Sequence, residues 1–220
     1  MNVAVVLLAA GASSRLGEPK ALAEIGGTRV LARMLTAVDD GLGALSTRPL
    51  VVTGAHHGPI AAFLAEQDAR PEVAFHPGWA LGRTTSVQAA ARLRPEQDML
   101  LWPVDVPLVS AAVLRSIVHE WDSLGQPANG WLAPSLGPSE VPATKATGME
   151  RGPGMGPRFG HPILLGAGLT RMALGLGPDA PLRQLRQAAD PLATVLVMDD
   201  AILDDLDTPG DLARLRSKMG

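Results

Sequence analysis

The sequence predicts a three-layer α/β/α fold with a mostly parallel, Rossmann-like sheet. Three observations predict it. Val3–Leu8 is an unbroken run of β-branched and aliphatic residues, the pattern of a strand covered on both faces. From there to Phe75, strand-like and helix-like stretches alternate with short joints, the rhythm of right-handed βαβ units. The chain of 220 residues suits one α/β domain with a sizeable core, and no linker or repeat divides it, so residues 1–220 are expected to form one domain.

The first strand stops at Ala9-Ala10-Gly11, three small residues where the backbone can turn and a large ligand can come close. Ser13 and Ser14 follow, then the cations Arg15 and Lys20 with Gly17 and Pro19 between them. A buried strand running into a small-residue loop with cations holds polyphosphate in α/β proteins: N–H groups point into the concavity and the cations neutralise the anion. This is not a Walker A loop, because Leu16 stands five places after Gly11 and Ala21 follows Lys20. Nor does a Gly-x-Gly-x-x-Gly fingerprint follow the strand.

Composition excludes several classes. The net charge of −3 argues against a general nucleic-acid or membrane-surface binder. With no cysteine there is neither a disulfide nor a Cys-ligated metal. Hydrophobic residues make up 46% but aromatics only 3%, so the core must be mainly Leu, Val, Ala and Ile. Val3–Ala10 is too short for a membrane span and lacks a basic leader, which points to a cytoplasmic protein.

The remaining elements follow in order. Ala21–Ile25 reads as extended, ending at a Gly26-Gly27 turn. Thr28 is expected to cap a helix from about Arg29 to Asp40, with Val30, Leu31, Met34, Leu35 and Val38 at helical spacing. Leu50–Thr53 is a strand closed by Gly54, Pro59–Gln67 a helix, and Glu72–Phe75 a strand. His56 and His57 are adjacent and point apart, so they read as a loop pair without a chelating role. After a loop at His76–Gly82, Thr84, Thr85 or Ser86 is expected to cap a helix ending near Leu93. Met99–Trp102 is a central strand with Trp102 in the core, and Asp105 sits just past its carboxyl end, where open α/β sheets bind ligands. Asp105 there can hold Mg²⁺, which takes one or two carboxylates plus phosphate oxygens, or it can serve as a turn residue before the helix Val109–Ser123. Gly130–Pro134 reads as a strand, and Ser135–Arg158, rich in Gly, Pro, Ser and Thr, as a mobile functional loop or a disordered stretch. Order resumes at Phe159–Leu165, followed by helices near Gly168–Leu174 and Pro181–Ala188 and a last strand at Ala193–Met198. Thr208 or Asp207 caps the closing helix, with Pro209 in its first turn.

The stretch Leu8–Lys20 resembles the signature LAAGxSxRxGxxK of the molybdenum-cofactor cytidylyltransferases (MobA-like NTP transferases), members of the nucleotidyltransferase superfamily with a GT-A-like fold. Leu8, Ala9, Ala10, Gly11, Ser13, Arg15, Gly17 and Lys20 match. Pro77, Trp79, Gly82 and Ser86 match the family segment NPxWxxGxxxSL, from which His76 and Arg83 depart. Asp105-Val106-Pro107 is similar to the family's Asp-x-Pro metal motif, Arg158 and Gly160-His161-Pro162 to its GRRGHP, and Asp204–Leu212 to its DIDTPEDL. The resemblance covers nearly all of the chain except the insertion at about 135–158.

The resemblance implies a site and a reaction. Leu8, Ala9, Ala10, Gly11, Ser13, Ser14, Arg15, Lys20, Gly54, Gly82 and Ser86 are expected to bind nucleotide. Asp105 and Asp207 are expected to hold Mg²⁺, and Arg158, Gly160, His161 and Pro162 to meet the acceptor. Arg15, Lys20 and Asp105 are the expected catalytic residues. The implied reaction transfers CMP from CTP to the phosphate of molybdopterin or its molybdenum-loaded form, releasing pyrophosphate. Ala10 favours cytosine over guanine, since guanylyl relatives carry LAGG, although one methyl is worth only ~1–3 kcal/mol of discrimination. A molybdenum hydroxylase or its cofactor-insertion chaperone is the implied protein partner. Two alternatives stand beside this: a relative using GTP or another phosphorylated acceptor such as a sugar phosphate, and a non-catalytic cofactor-binding chaperone.

Overall fold

The computed structural model describes residues 3–45, 47–67, 71–137 and 158–219. Val3–Ala9 forms β1, and every residue but Leu8 is buried. A two-strand hairpin of β2 (Glu24–Ile25) and β3 (Thr28–Arg29) turns on Gly26 and Gly27, both at positive φ. The chain continues through α1 (Val30–Leu42), β4 (Leu50–Thr53), α2 (His57–Ala65), β5 (Glu72–Phe75), α3 (Arg83–Leu93), β6 (Asp98–Pro103) and α4 (Ala111–Ser123). Then come β7 (Trp131–Leu136), β8 (Arg158–Phe159), β9 (Ile163–Leu165), α5 (Ala167–Leu174), α6 (Arg183–Ala188), β10 (Leu192–Leu196) and α7 (Pro209–Lys218).

The main sheet runs β10-β7-β9-β6-β1-β4-β5, with β8 paired to β7. β4, β1 and β6 are parallel, as are β4 with β5 and β7 with β10, whereas β9 runs antiparallel to both β6 and β7. Alternation along β1 divides the core. Val3, Val5 and Leu7 face α1, α2, α4 and α7, while Ala4 and Val6 face α3, α5 and α6. A strand buried on both faces needs no polar alternation, so its apolar run is the direct signature of the three layers. Each fully buried Leu or Val in it contributes about 1.5–3 kcal/mol. Trp102 is fully buried, and its indole N–H donates to the Val106 carbonyl at 2.8 Å. That bond shapes the turn carrying Asp105.

Several local expectations change. Thr28 does not cap α1: it belongs to the hairpin, and Arg29 precedes the helix without a side-chain cap. Lys20–Leu22 is a short 3-10 turn rather than extended chain. Thr84, Thr85 and Ser86 lie inside the first turn of α3, which follows directly on Gly82 at φ 127°. Thr84 instead donates to the Ala180 carbonyl, and Thr85 to Gly82 at 2.7 Å. Of the expected insertion, residues 138–157 lie outside the described residues. Among the described residues no helix is long and apolar enough to cross a membrane.

Candidate active site

The cavity opens at the carboxyl rim of the central strands. It encloses about 250 Å³ and is lined from β1 and its loop, from the β6 turn, from α3, and from the segments before β9 and α7. β9 is short and reversed, and this decides who reaches it. The residues preceding an antiparallel strand stand at the rim where its parallel neighbours end. The register agrees: Ile163, first in β9, pairs with Leu101 near the end of β6, and Leu165 pairs with Met99 near its start. His161 therefore meets the turn after β6, and both His161 and Asp105 line the cavity.

The β1 loop is built by its own hydrogen bonds. Ser13 adopts φ 52°, and its carbonyl accepts from Leu16 N and Gly17 N at 3.0 and 3.1 Å. Its hydroxyl accepts from Lys20 N at 3.1 Å, which fixes where the lysine starts. From the neighbouring loop His56 Nε2 hydrogen-bonds the Ala12 carbonyl at 2.8 Å. A Cβ on Gly11 would meet open space, whereas one on Gly54 would lie 2.6 Å from Trp79 Cβ. Gly54 thus backs the loop without lining the cavity.

Lys20 and Asp207, 187 positions apart, meet at 2.5 Å, and Arg15 reaches the other carboxylate oxygen at 3.0 Å. The Lys20 hydrogen bond, opposed by partial burial, holds the Asp207 carboxyl below the usual carboxylate range. Asp207 is free for this because Thr208 does the capping. The Thr208 hydroxyl accepts from Asp211 N at 3.2 Å, and the Asp211 carboxylate answers Thr208 N at 2.9 Å. The alternative left open by the sequence, Asp207 as cap, is set aside by that geometry.

At the other side Arg83 stands 3.7 Å from Asp105. Burial pushes the His161 imidazole below its ordinary value, Asp105 and Asp205 acting against that and Arg83 with it. Burial, with the charges of Asp105 and Asp207, pushes Asp205 up. Asp105, Asp205 and Asp207 thus share one electrostatic neighbourhood. Among the described residues no group of three or more His, Asp or Glu side chains is arranged to hold a metal unaided.

Of the sequence-expected residues, Leu8, Ala9, Ala10, Gly11, Ser13, Ser14, Arg15, Lys20, Ser86, Asp105, His161 and Asp207 line this cavity. Gly82, Gly160 and Pro162 do not; a Cβ on Gly160 would sit 2.7 Å from Ile202 Cβ, so its role is close packing. Arg158 lies apart from them. It is an exposed residue of β8, paired with Leu136, and is not part of the cavity wall. Two ionisable lining residues were missed. Arg83 registered only as a departure from a pattern, and His56 was set aside as a loop residue. The available signal for Arg83 was its place directly after Gly82.

Comparison with known proteins agrees with this architecture. A nucleotidyl transferase from Methanothermobacter thermautotroptrophicus is 25% identical with a TM-score of 0.73, over 99% of this chain and 97% of that one. Rv0371c from Mycobacterium tuberculosis H37Rv shares the fold at 24% identity and a TM-score of 0.70, each chain covered to 99%. So does a molybdopterin-guanine dinucleotide biosynthesis protein A from Archaeoglobus fulgidus, at 15% identity and a TM-score of 0.65, over 99% of this chain and 98% of that one. No curated protein sequence matches. The family model of the MobA-like NTP transferase domain matches residues 5–192. The chain is therefore a member of the MobA-like NTP transferase family, a nucleotidyltransferase.

Proposed function

We propose that the protein transfers CMP from CTP to the phosphate of molybdopterin or the molybdenum cofactor, with Mg²⁺, releasing pyrophosphate. The observation that carries the reading is the convergence of Lys20, Arg15 and Asp207 in the cavity that Asp105 also lines. Cytidine rests on Ala10, whose methyl narrows the strand end where guanylyl relatives have glycine. The acceptor rests on the Gly160-His161-Pro162 resemblance, with His161 in the wall. A molybdenum hydroxylase or its insertion chaperone is the partner this product needs.

The chemistry asks for little beyond placement and charge. A phosphate acceptor is already ionised near neutral pH, so attack on the α-phosphorus needs no strong base. The loop at Gly11 offers N–H groups and room for the triphosphate. Lys20 and Arg15 exchange Asp207 for phosphate oxygens and offset the charge that grows on the α-phosphoryl group and the leaving pyrophosphate. Asp105 and Asp207 would hold Mg²⁺, which would supply charge neutralisation to the phosphates. His161, held largely neutral by burial, can hydrogen-bond the acceptor.

A structural neighbour complexed with manganese is consistent with a divalent ion. The second reading, guanylyl transfer, is favoured by the name of the Archaeoglobus fulgidus neighbour. Pyrophosphate release measured with each nucleoside triphosphate, Mg²⁺ and molybdopterin separates the two. CTP is expected to be preferred. Release with GTP alone overturns the cytidylyl assignment, and release with none leaves a binding protein. Asp105→Ala should abolish release while far-UV circular dichroism stays native; retained turnover removes Asp105 from the reaction.

A further inference from the structure

The cation expected to meet the acceptor, Arg158, stands outside the cavity wall, while Arg83 stands in it. Resting on the nucleotidyl-transfer reading, we propose that Arg83 receives the acceptor's phosphate and so selects an anionic acceptor over a hydroxyl one.

Charge accounting singles out this residue. Arg15, Lys20 and Arg83 are the Lys and Arg side chains among the described residues lining the cavity. The first two are tied to Asp207 at the triphosphate side. An incoming phosphate monoester carries about −1.5 to −2 charge at neutral pH. It must approach a triphosphate that is itself negative, so it needs a cation not already spent on that triphosphate. Arg83 meets the requirement. Its side chain is 82% exposed, and 3.7 Å from Asp105 is a loose ion pair, too long for a hydrogen bond. A guanidinium can grip two phosphate oxygens at once, which a single carboxylate at that distance does not match. Its backbone is fixed as the first residue of α3, directly after Gly82 at φ 127°. Asp105 is therefore the resting partner of Arg83, and the acceptor's phosphate displaces it.

Arg83→Gln and Arg83→Lys test this. With CTP, Mg²⁺ and molybdopterin, Arg83→Gln should raise the KM for molybdopterin roughly 10- to 100-fold, the loss expected for a charged hydrogen bond. The KM for CTP should move by less than about twofold. Arg83→Lys should recover part of the loss. A second reading needs no turnover: phosphorus-NMR line broadening of phenyl phosphate titrated with the full chain should be clear in the wild type and weak in Arg83→Gln. An unchanged molybdopterin KM, or a rise confined to CTP, overturns the proposal, as does equal broadening. If the wild type releases no pyrophosphate with any triphosphate yet the broadening contrast persists, nucleotidyl transfer fails and Arg83 stands as an anion receptor.

Discussion

The cavity's two sides hold their charges differently. At the β1 loop, Lys20 is 14% exposed and Asp207 29%, and they meet within hydrogen-bond distance. Across from them Arg83 is 82% exposed and Asp105 20%, at a looser 3.7 Å. The first pair is part-buried, and its lysine begins from a backbone fixed by Ser13. The second depends on one long, exposed side chain. Tight placement suits a ligand whose triphosphate is always the same. Loose placement suits an acceptor that differs among relatives of one fold.

The contrast predicts graded effects. Lys20→Met should lower kcat/KM for the nucleotide on the order of 10²–10³-fold, against the acceptor-only effect of Arg83→Gln. Comparable losses for both substrates in both variants would erase the distinction. Gly54→Ala and Gly160→Ala test the packing behind each side. Each places a Cβ under 3 Å from a neighbour and should cost about 1–3 kcal/mol, read as a lower thermal midpoint. If Gly54→Ala alone also weakens nucleotide binding, that glycine is what aims the loop.

Acid reveals the next step down. The fold holds His161 below 6.5, so the unfolded chain takes the proton first. Stability from this residue is complete above pH 6.5 and falls as the pH drops below it. His161→Gln should flatten that slope in urea midpoints measured between pH 5 and 7. The smallest effect belongs to Asp211, held at about 2 chiefly by the Thr208 hydroxyl. Its contribution is present above 3.8 and is lost as the pH falls toward about 2. Asp211→Asn should therefore change acid unfolding there and leave turnover at neutral pH untouched.

What the sequence revealed follows from locality. β1 and β4 were readable because a strand buried on both faces needs a continuous apolar run, and Gly54 punctuates the second. Arg15 and Lys20 were readable because one loop carries both. Thr28 misled because a β-hydroxyl residue before a helix serves equally well in a two-residue strand, and Gly26-Gly27 closed the hairpin instead. A motif gives order along the chain but not which residues face the cavity, and Arg158 stands exposed on β8. For Arg83 the sequence offered only its place after Gly82, because exposure and a partner 22 positions away have no local signature. The Lys20–Asp207 contact, across 187 positions, has no local signature either.

The reversed strand β9 has a consequence for how this scaffold diversifies. In a wholly parallel sheet, every segment at the ligand rim leads into a crossover helix and must also serve that helix's first turn. The segment ahead of β9 has no such duty. α5 begins at the opposite edge, where Ala167 N donates to Asp98 at the start of β6. At this rim His161 can therefore be exchanged without unmaking a helix, whereas Gly160 is held by its packing on Ile202.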